Sequence, residues 1–219
     1  MSPSRKRRCA TALPKPDNML FALLTVISIH YVKHMSKRAL VILHEGVEEM
    51  EAIAPIDILR RGGIEVVIAS TTDSHQVTGR SKVTLMVDVP LIRAADQDYD
   101  CIILPGGPGI IQSVRSHDLV KRLLKQQFDA GKWVAGICAA PLVLADAGIL
   151  RNKQYTAHPS AADELSDRIP NQSVIVDPPL ITSPGAGTAT AFALEILARL
   201  TSTPAADEVA ASICLLKIQ

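Results

Sequence analysis

The sequence predicts an α/β protein built on a mostly parallel sheet. Two observations carry this expectation. From residue 38 onward, short β-rich runs alternate with longer helical stretches, the pattern of βαβ units. The central runs are nearly unbroken Val, Ile and Leu, as expected of strands covered on both faces, where alternation is lost because neither side meets water. Helices are therefore expected on both faces.

Expected strands cover residues 39–43, 65–70, 83–87, 101–104, 133–137, 154–156, 173–176 and 180–182. The first helix is expected over 48–61, with acids in its first turn, bases in its last, and Gly62-Gly63 as a stop. Further helices are expected at 113–130, after Cys138 to 147, at 186–200 and at 205–215. No repeat or low-complexity linker interrupts 36–219, and Pro178-Pro179 and Gly185-Ala186-Gly187 read as turns, so a single domain is assigned to residues 35–219.

Composition narrows the function. The chain has 219 residues and a formal charge of +1, enough for one sizeable core and without the excess charge of a nucleic-acid binder. Aromatic residues make up 3%, too few to stack on exposed bases, so no nucleic-acid partner is expected. Cys9, Cys101, Cys138 and Cys214 are far apart, with no CxxC pair or histidine cluster, so neither a disulfide framework nor a metal site is expected. A reducing, cytoplasmic location follows.

Residues 1–34 differ from the rest: they hold six basic side chains and one acid, leaving 17 basic and 21 acidic residues for the body. Their apolar run, Met19 to Ile29, is shorter than the roughly 20 residues of a bilayer crossing, so no membrane span is expected. It has a signal peptide's hydrophobic length but no small-residue cleavage site after it, and an acid-poor organelle transit segment is a second reading. The preferred reading is a dispensable or disordered extension, or a start-site artefact, because Met35-Ser36-Lys37-Arg38 directly precedes a strong strand.

Ligands of open parallel sheets bind beyond the carboxyl ends of the strands. Three such junctions stand out. In Gly136-Ile137-Cys138-Ala139-Ala140 small neighbours permit a sharp strand-to-helix turn that lifts Cys138 above the sheet. A helix N-terminus there favours thiolate, although a free cysteine is also commonly a small buried apolar residue. Pro105-Gly106-Gly107-Pro108-Gly109 lacks the Walker ending and the G-x-G-x-x-G pattern, which leaves either a tight turn or an oxyanion hole built from the amides of Gly107 and Ala139. The third junction, His44-Glu45-Gly46-Val47, opens a helix with Glu48, Glu49 and Glu51. Such acids commonly form a solvated N-terminal cluster, yet Glu48 and Glu51 share a face, and Glu51 turned into the crevice would be desolvated and raised in pKa. His158, after the 154–156 run, is either a base for Cys138 or a packing residue, with no acid visibly orienting it.

Six ordered motifs, Lys37-Arg38-Ala39-Leu40-Val41-Ile42-Leu43, Glu48-Glu49-Met50-Glu51, Leu104-Pro105-Gly106-Gly107, Ala135-Gly136-Ile137-Cys138-Ala139-Ala140-Pro141, Thr156-Ala157-His158-Pro159 and Thr182-Ser183-Pro184-Gly185-Ala186-Gly187-Thr188, resemble the ThiJ/PfpI superfamily, in particular its Parkinson-disease-protein branch. The similarity covers about residues 36–215. It implies a flavodoxin-like α/β sandwich, a homodimer and no cofactor, with a reactive cysteine at Cys138, a protonated glutamate at Glu51, a histidine at His158 and oxyanion amides at Gly107 and Ala139. Gly106, Glu48 and Arg80 are pocket candidates, Arg80 with shifted local spacing. Ala140 and Ala186 depart from residues common in the family.

The implied activity is cofactor-independent chemistry on 2-oxoaldehydes such as methylglyoxal, or on early glycation adducts, releasing a 2-hydroxy acid. The alternative is a redox sensor or redox-regulated chaperone in which Cys138 is oxidised to a sulfinate. Amidotransferase or protease chemistry ranks last, because no organised Cys-His-acid arrangement is legible.

Overall fold

The computed structural model describes residues 37–215, and the expected extension over 1–34 lies outside them. Strand β1 (Arg38–Leu43) is buried along Ala39 to Leu43, as its unbroken apolar run requires. It is followed by α1 (Glu49–Arg61), β2 (Glu65–Ser70), a small antiparallel hairpin of β3 (Gln76–Thr78) and β4 (Thr84–Met86), β5 (Val89–Pro90) and the short α2 (Leu91–Ala94). Then come β6 (Cys101–Leu104), α3 (Asp118–Asp129), β7 (Trp133–Ile137), α4 (Ala140–Asp146), β8 (Ile175–Asp177), β9 (Leu180–Ser183), α5 (Ala189–Leu200) and α6 (Thr203–Ser212).

Seven strands form one sheet in the order β5-β2-β1-β6-β7-β9-β8, parallel except for the edge strand β8. Successive residues of each central strand feed opposite cores. Val41, Leu43, Ile103 and Ile137 pack with Phe192, Ile196 and Leu197 of α5 and with Leu59 of α1. Leu40, Ile42, Ile102 and Leu104 pack on the other face with Leu124 of α3 and Val143 of α4. Strand order reverses between β1 and β6, which opens a crevice at their carboxyl ends.

Four expectations are corrected. Residues 154–156 pair with no strand, because side chains replace the ladder: Gln154 N donates to Asp177 Oδ2 at 2.9 Å and Thr156 N to Thr182 Oγ1 at 2.9 Å. The run expected at 83–87 belongs to the separate β3–β4 hairpin rather than to the parallel sheet. The helix expected from 113 begins at Asp118, after a wide π-type turn, Ile110–Val114, and an extended His117. The helix expected from 186 begins at Ala189, after a tight 3-10 turn, Ala186–Thr188.

Candidate active site

The three strand ends converge. Cys138 directly follows β7 and adopts φ +66°, the left-handed conformation that a non-glycine residue holds only when its surroundings over-determine it. Here they do: Cys138 N donates to Ser183 O at 2.9 Å, and His158 N donates to Cys138 O at 2.9 Å. The result is a strand-to-helix elbow whose neighbours Gly136 and Ala139 are small.

Glu51 comes from the first turn of α1, where burial of the Ala52, Ile56 and Leu59 face turns its side chain inward; it is 1% exposed. Glu48 caps the helix, its Oε2 accepting from Glu51 N at 2.9 Å. The Gly106 amide donates to Glu51 Oε2 at 2.9 Å, and Glu48 N donates to Gly106 O at 3.1 Å, so the 105–107 turn is tied to the helix start at both ends. Gly107, at φ +110°, completes the turn in a conformation that favours glycine. Its amide, that of Ala139 and the Glu51 carboxyl are the polar groups that act on the Cys138 thiol.

The electrostatics correct one expectation. Burial raises the Glu51 carboxyl to about 7; the bonds from Cys138 and the Gly106 amide oppose the rise, while the charge of Glu48 adds to it and that of Arg80 opposes it. Cys138 is pushed up to about 12 by burial first, then by the charge and hydrogen bond of Glu51, against the amides of Gly107 and Ala139. The strand-to-helix elbow does supply amides that favour thiolate, but desolvation and the facing carboxylate outweigh them. Two of the three raising influences depend on Glu51, so a proton on Glu51 relieves them and leaves burial opposed by both amides.

The remaining candidates lie at the rim. His158 sends Nδ1 to Ser160, 2.8 Å from Oγ and 3.1 Å from the backbone N that donates to it. Its ring therefore contacts Cys138 through no hydrogen bond here, and Cδ2 lies close to Gly185. An open cavity of about 260 Å³, lined by His158, Pro184, Gly185, Ala186, Gly187 and Thr188, adjoins the site. Its Gly185 wall faces Glu51, whose Oε1 is 3.9 Å from where a Cβ would stand. Arg80 rides on the β3–β4 turn, which Glu49 holds by accepting from Ser81 N at 2.7 Å. A larger groove of about 630 Å³ lies between α1, the start of α5 and the end of α6, and Cys138 does not line it. Among the described residues no cluster of His, Cys, Asp and Glu could hold a metal ion.

Two connections were not legible in the sequence. Arg115 forks onto Asp146 at 2.8 and 2.9 Å and reaches Glu164 at 2.9 Å, joining the turn after Gly107, the end of α4 and the segment after His158. His44 stands fully buried beneath the 105–109 turn. Its position directly after β1 was the one signal that marked it.

Residues 37–199 match the DJ-1/PfpI family. The chain is 40% identical to Protein dj-1beta of Drosophila melanogaster over 179 residues, 80% of this chain and 96% of that protein. It is 32% identical to the glutathione-independent glyoxalase DJR-1.2 of Caenorhabditis elegans, over 83% of this chain and 98% of that one. Among solved structures, Drosophila DJ-1beta superposes with a TM-score of 0.81 at 39% identity, covering 84% of this chain and all of the other. An oxidized Toxoplasma gondii DJ-1 superposes with a TM-score of 0.79 at 33% identity, covering 83% of this chain and all of the other. With the flavodoxin-like sheet, the elbow and this extent of similarity in agreement, the chain belongs to the DJ-1/PfpI family.

Proposed function

We propose that the protein converts small 2-oxoaldehydes, free or as early adducts, into 2-hydroxy acids without a cofactor. The observation that carries this reading is the pairing of buried Glu51 with half-buried Cys138 beside the amides of Gly106, Gly107 and Ala139. A relative carrying the name glutathione-independent glyoxalase supports it.

With methylglyoxal, Glu51 takes the thiol proton as the sulfur adds to the aldehyde carbon. The amides of Gly107 and Ala139 hold the developing oxyanion, and Glu51 returns the proton to give a hemithioacetal. Glu51 then removes the proton on that carbon, forming an enediol, and delivers it to the adjacent carbon, leaving a thioester on Cys138. Water releases lactate and restores the thiol. A carboxyl near pH 7 suits both directions of transfer. His158, at the cavity rim, orients the substrate.

Lactate formation from methylglyoxal, without glutathione or metal, tests this. Wild type should turn over many times, while Cys138→Ser and Glu51→Gln should each lose about 10²-fold or more. No turnover above the Cys138→Ser background would sink the reading. The second reading, oxidation of Cys138 by two equivalents of peroxide to a sulfinate with loss of two waters, would then stand. It draws support from a protonated Glu51 able to donate to a sulfinate oxygen and from the oxidized Toxoplasma relative.

The same reading includes a homodimer. Met50 and Ile53 on α1 are 59% and 45% exposed and line the larger groove, an apolar face suited to a second copy. Sedimentation should give the mass of two chains at micromolar concentration; a single-chain mass there would count against it.

A further inference from the structure

His44 directly follows β1 and is 0% exposed. Each of its ring nitrogens faces a backbone carbonyl: Nδ1 lies 3.1 Å from Glu45 O, and Nε2 lies 3.4 Å from Pro105 O. The backbone of Gly109 closes over the ring, so closely that a Cβ there would stand 2.4 Å from Nδ1. A neutral imidazole donates through one nitrogen only. Burial lowers the affinity of His44 for a second proton, while the two carbonyls and the charge of Glu45 oppose that lowering.

The two carbonyls are not equivalent. The contact to the Pro105 carbonyl is buried, whereas that to the Glu45 carbonyl, though shorter, is only partly buried. Leaving the buried carbonyl unpaired carries the larger penalty, which favours the proton on Nε2. The Pro105 carbonyl also belongs to the same peptide unit as the Gly106 amide. That amide donates to Glu51 Oε2 at 2.9 Å. One planar peptide thus accepts from His44 at one end and donates to Glu51 at the other.

We propose that His44 is a positioning residue for the Cys138 site: its Nε2–H fixes and polarises the Pro105–Gly106 peptide, which in turn stabilises the ionised form of Glu51. Hydrogen bonds in series strengthen one another, and a carbonyl that accepts makes its peptide N–H a better donor. The other groups acting on Glu51 are Cys138 through its hydrogen bond, Glu48 and Arg80 through their charges. His44 touches none of the reacting atoms. This role rests on Glu51 being the proton carrier proposed above, but it is read through Glu51 itself, so it can fail or hold whether or not methylglyoxal is turned over.

The test is the titration of the Glu51 side-chain carboxyl, followed by carbon NMR in the full chain carrying Cys138→Ser, which uncouples the sulfur. Removing the His44 donor should raise the Glu51 midpoint. The rise should be on the order of 0.3 pH unit, the fraction of a charge-assisted bond that series strengthening represents. His44→Gln, which retains a side-chain N–H, should cancel most of the rise seen in His44→Ala. An unchanged midpoint in a folded His44→Ala protein overturns the proposal, as does an equal rise in both variants. Should His44→Ala not fold, nitrogen NMR of the wild-type imidazole decides: an Nε2–H tautomer supports the relay, and an Nδ1–H tautomer overturns it.

Discussion

Glu51→Gln is expected to make the protein more stable than wild type at alkaline pH while leaving the two nearly equal at pH 5. The carboxyl titrates near 7 in the fold against 4.5 when unperturbed, because burial disfavours its charge. A folded value above the unfolded one gives a contribution that is fully present below pH 4.5 and is lost as pH rises through about 7. Across that window the wild type gives up about 3.5 kcal/mol, at roughly 1.4 kcal/mol for each pH unit between the two midpoints. Glutamine stays neutral, keeps an oxygen for the Gly106 amide and escapes this loss. Urea unfolding at pH 5, 7 and 8.5, at one protein concentration, measures the difference. Parallel wild-type and variant curves would mean that Glu51 is ionised through most of the range and could not serve as a proton donor near neutrality.

Gly106→Ala is expected to separate the two reacting groups. A Cβ at this position would stand 2.6 Å from the Cys138 Cβ, 2.8 Å from Glu51 Oε2 and 2.8 Å from Ile137 O. The Cys138 Cβ and Ile137 O cannot swing aside, and Glu51 Oε2, though a side-chain end, is buried and bonded to the Gly106 amide, so relief must come from moving the elbow, the helix start or the turn. A displacement of about 1 Å at a reacting pair costs on the order of 10²-fold in rate, and overpacking of this kind costs about 1–3 kcal/mol in stability. Alkylation of Cys138 by iodoacetamide reads the first and urea unfolding the second. Gly131→Ala is the control: its Cβ meets nothing within 4 Å, but φ there is +70°, so it should cost stability without slowing Cys138. If Gly131→Ala slowed alkylation as much as Gly106→Ala, the effect would reflect general loosening, not the collision.

Strands 65–70, 101–104 and 133–137 were legible to the residue because each is a mainly apolar run buried along most of its length, where composition and burial report the same thing. Residues 154–156 misled because their extended chain is held by Asp177 and Thr182 side chains, and a β-rich run says nothing of which partner takes its amides. Hairpin β3–β4 was hidden for a related reason: it is short, largely exposed and held in place by Glu45 and Glu49 accepting its amides. The acids at 48–51 admitted two readings, a solvated cluster or one acid turned inward. Packing of α1 on the sheet separated them, making Glu48 a cap, Glu49 a tie to the hairpin and Glu51 a buried neighbour of Cys138.

By itself the sequence determined the layered sheet and the strand ends at which reactive side chains stand, since both follow from hydrophobic periodicity and local turn chemistry. The direction in which the Cys138 thiol moves from its ordinary value was decided only in three dimensions. Local sequence shows an elbow whose amides favour thiolate, but the opposing influences, burial and a carboxyl from another strand end, exist only after β1, β6 and β7 lie side by side. The His44 contact has the same origin. Proton affinity depends on what surrounds a group within a few ångströms, and in a parallel sheet those surroundings come from segments far apart in the chain.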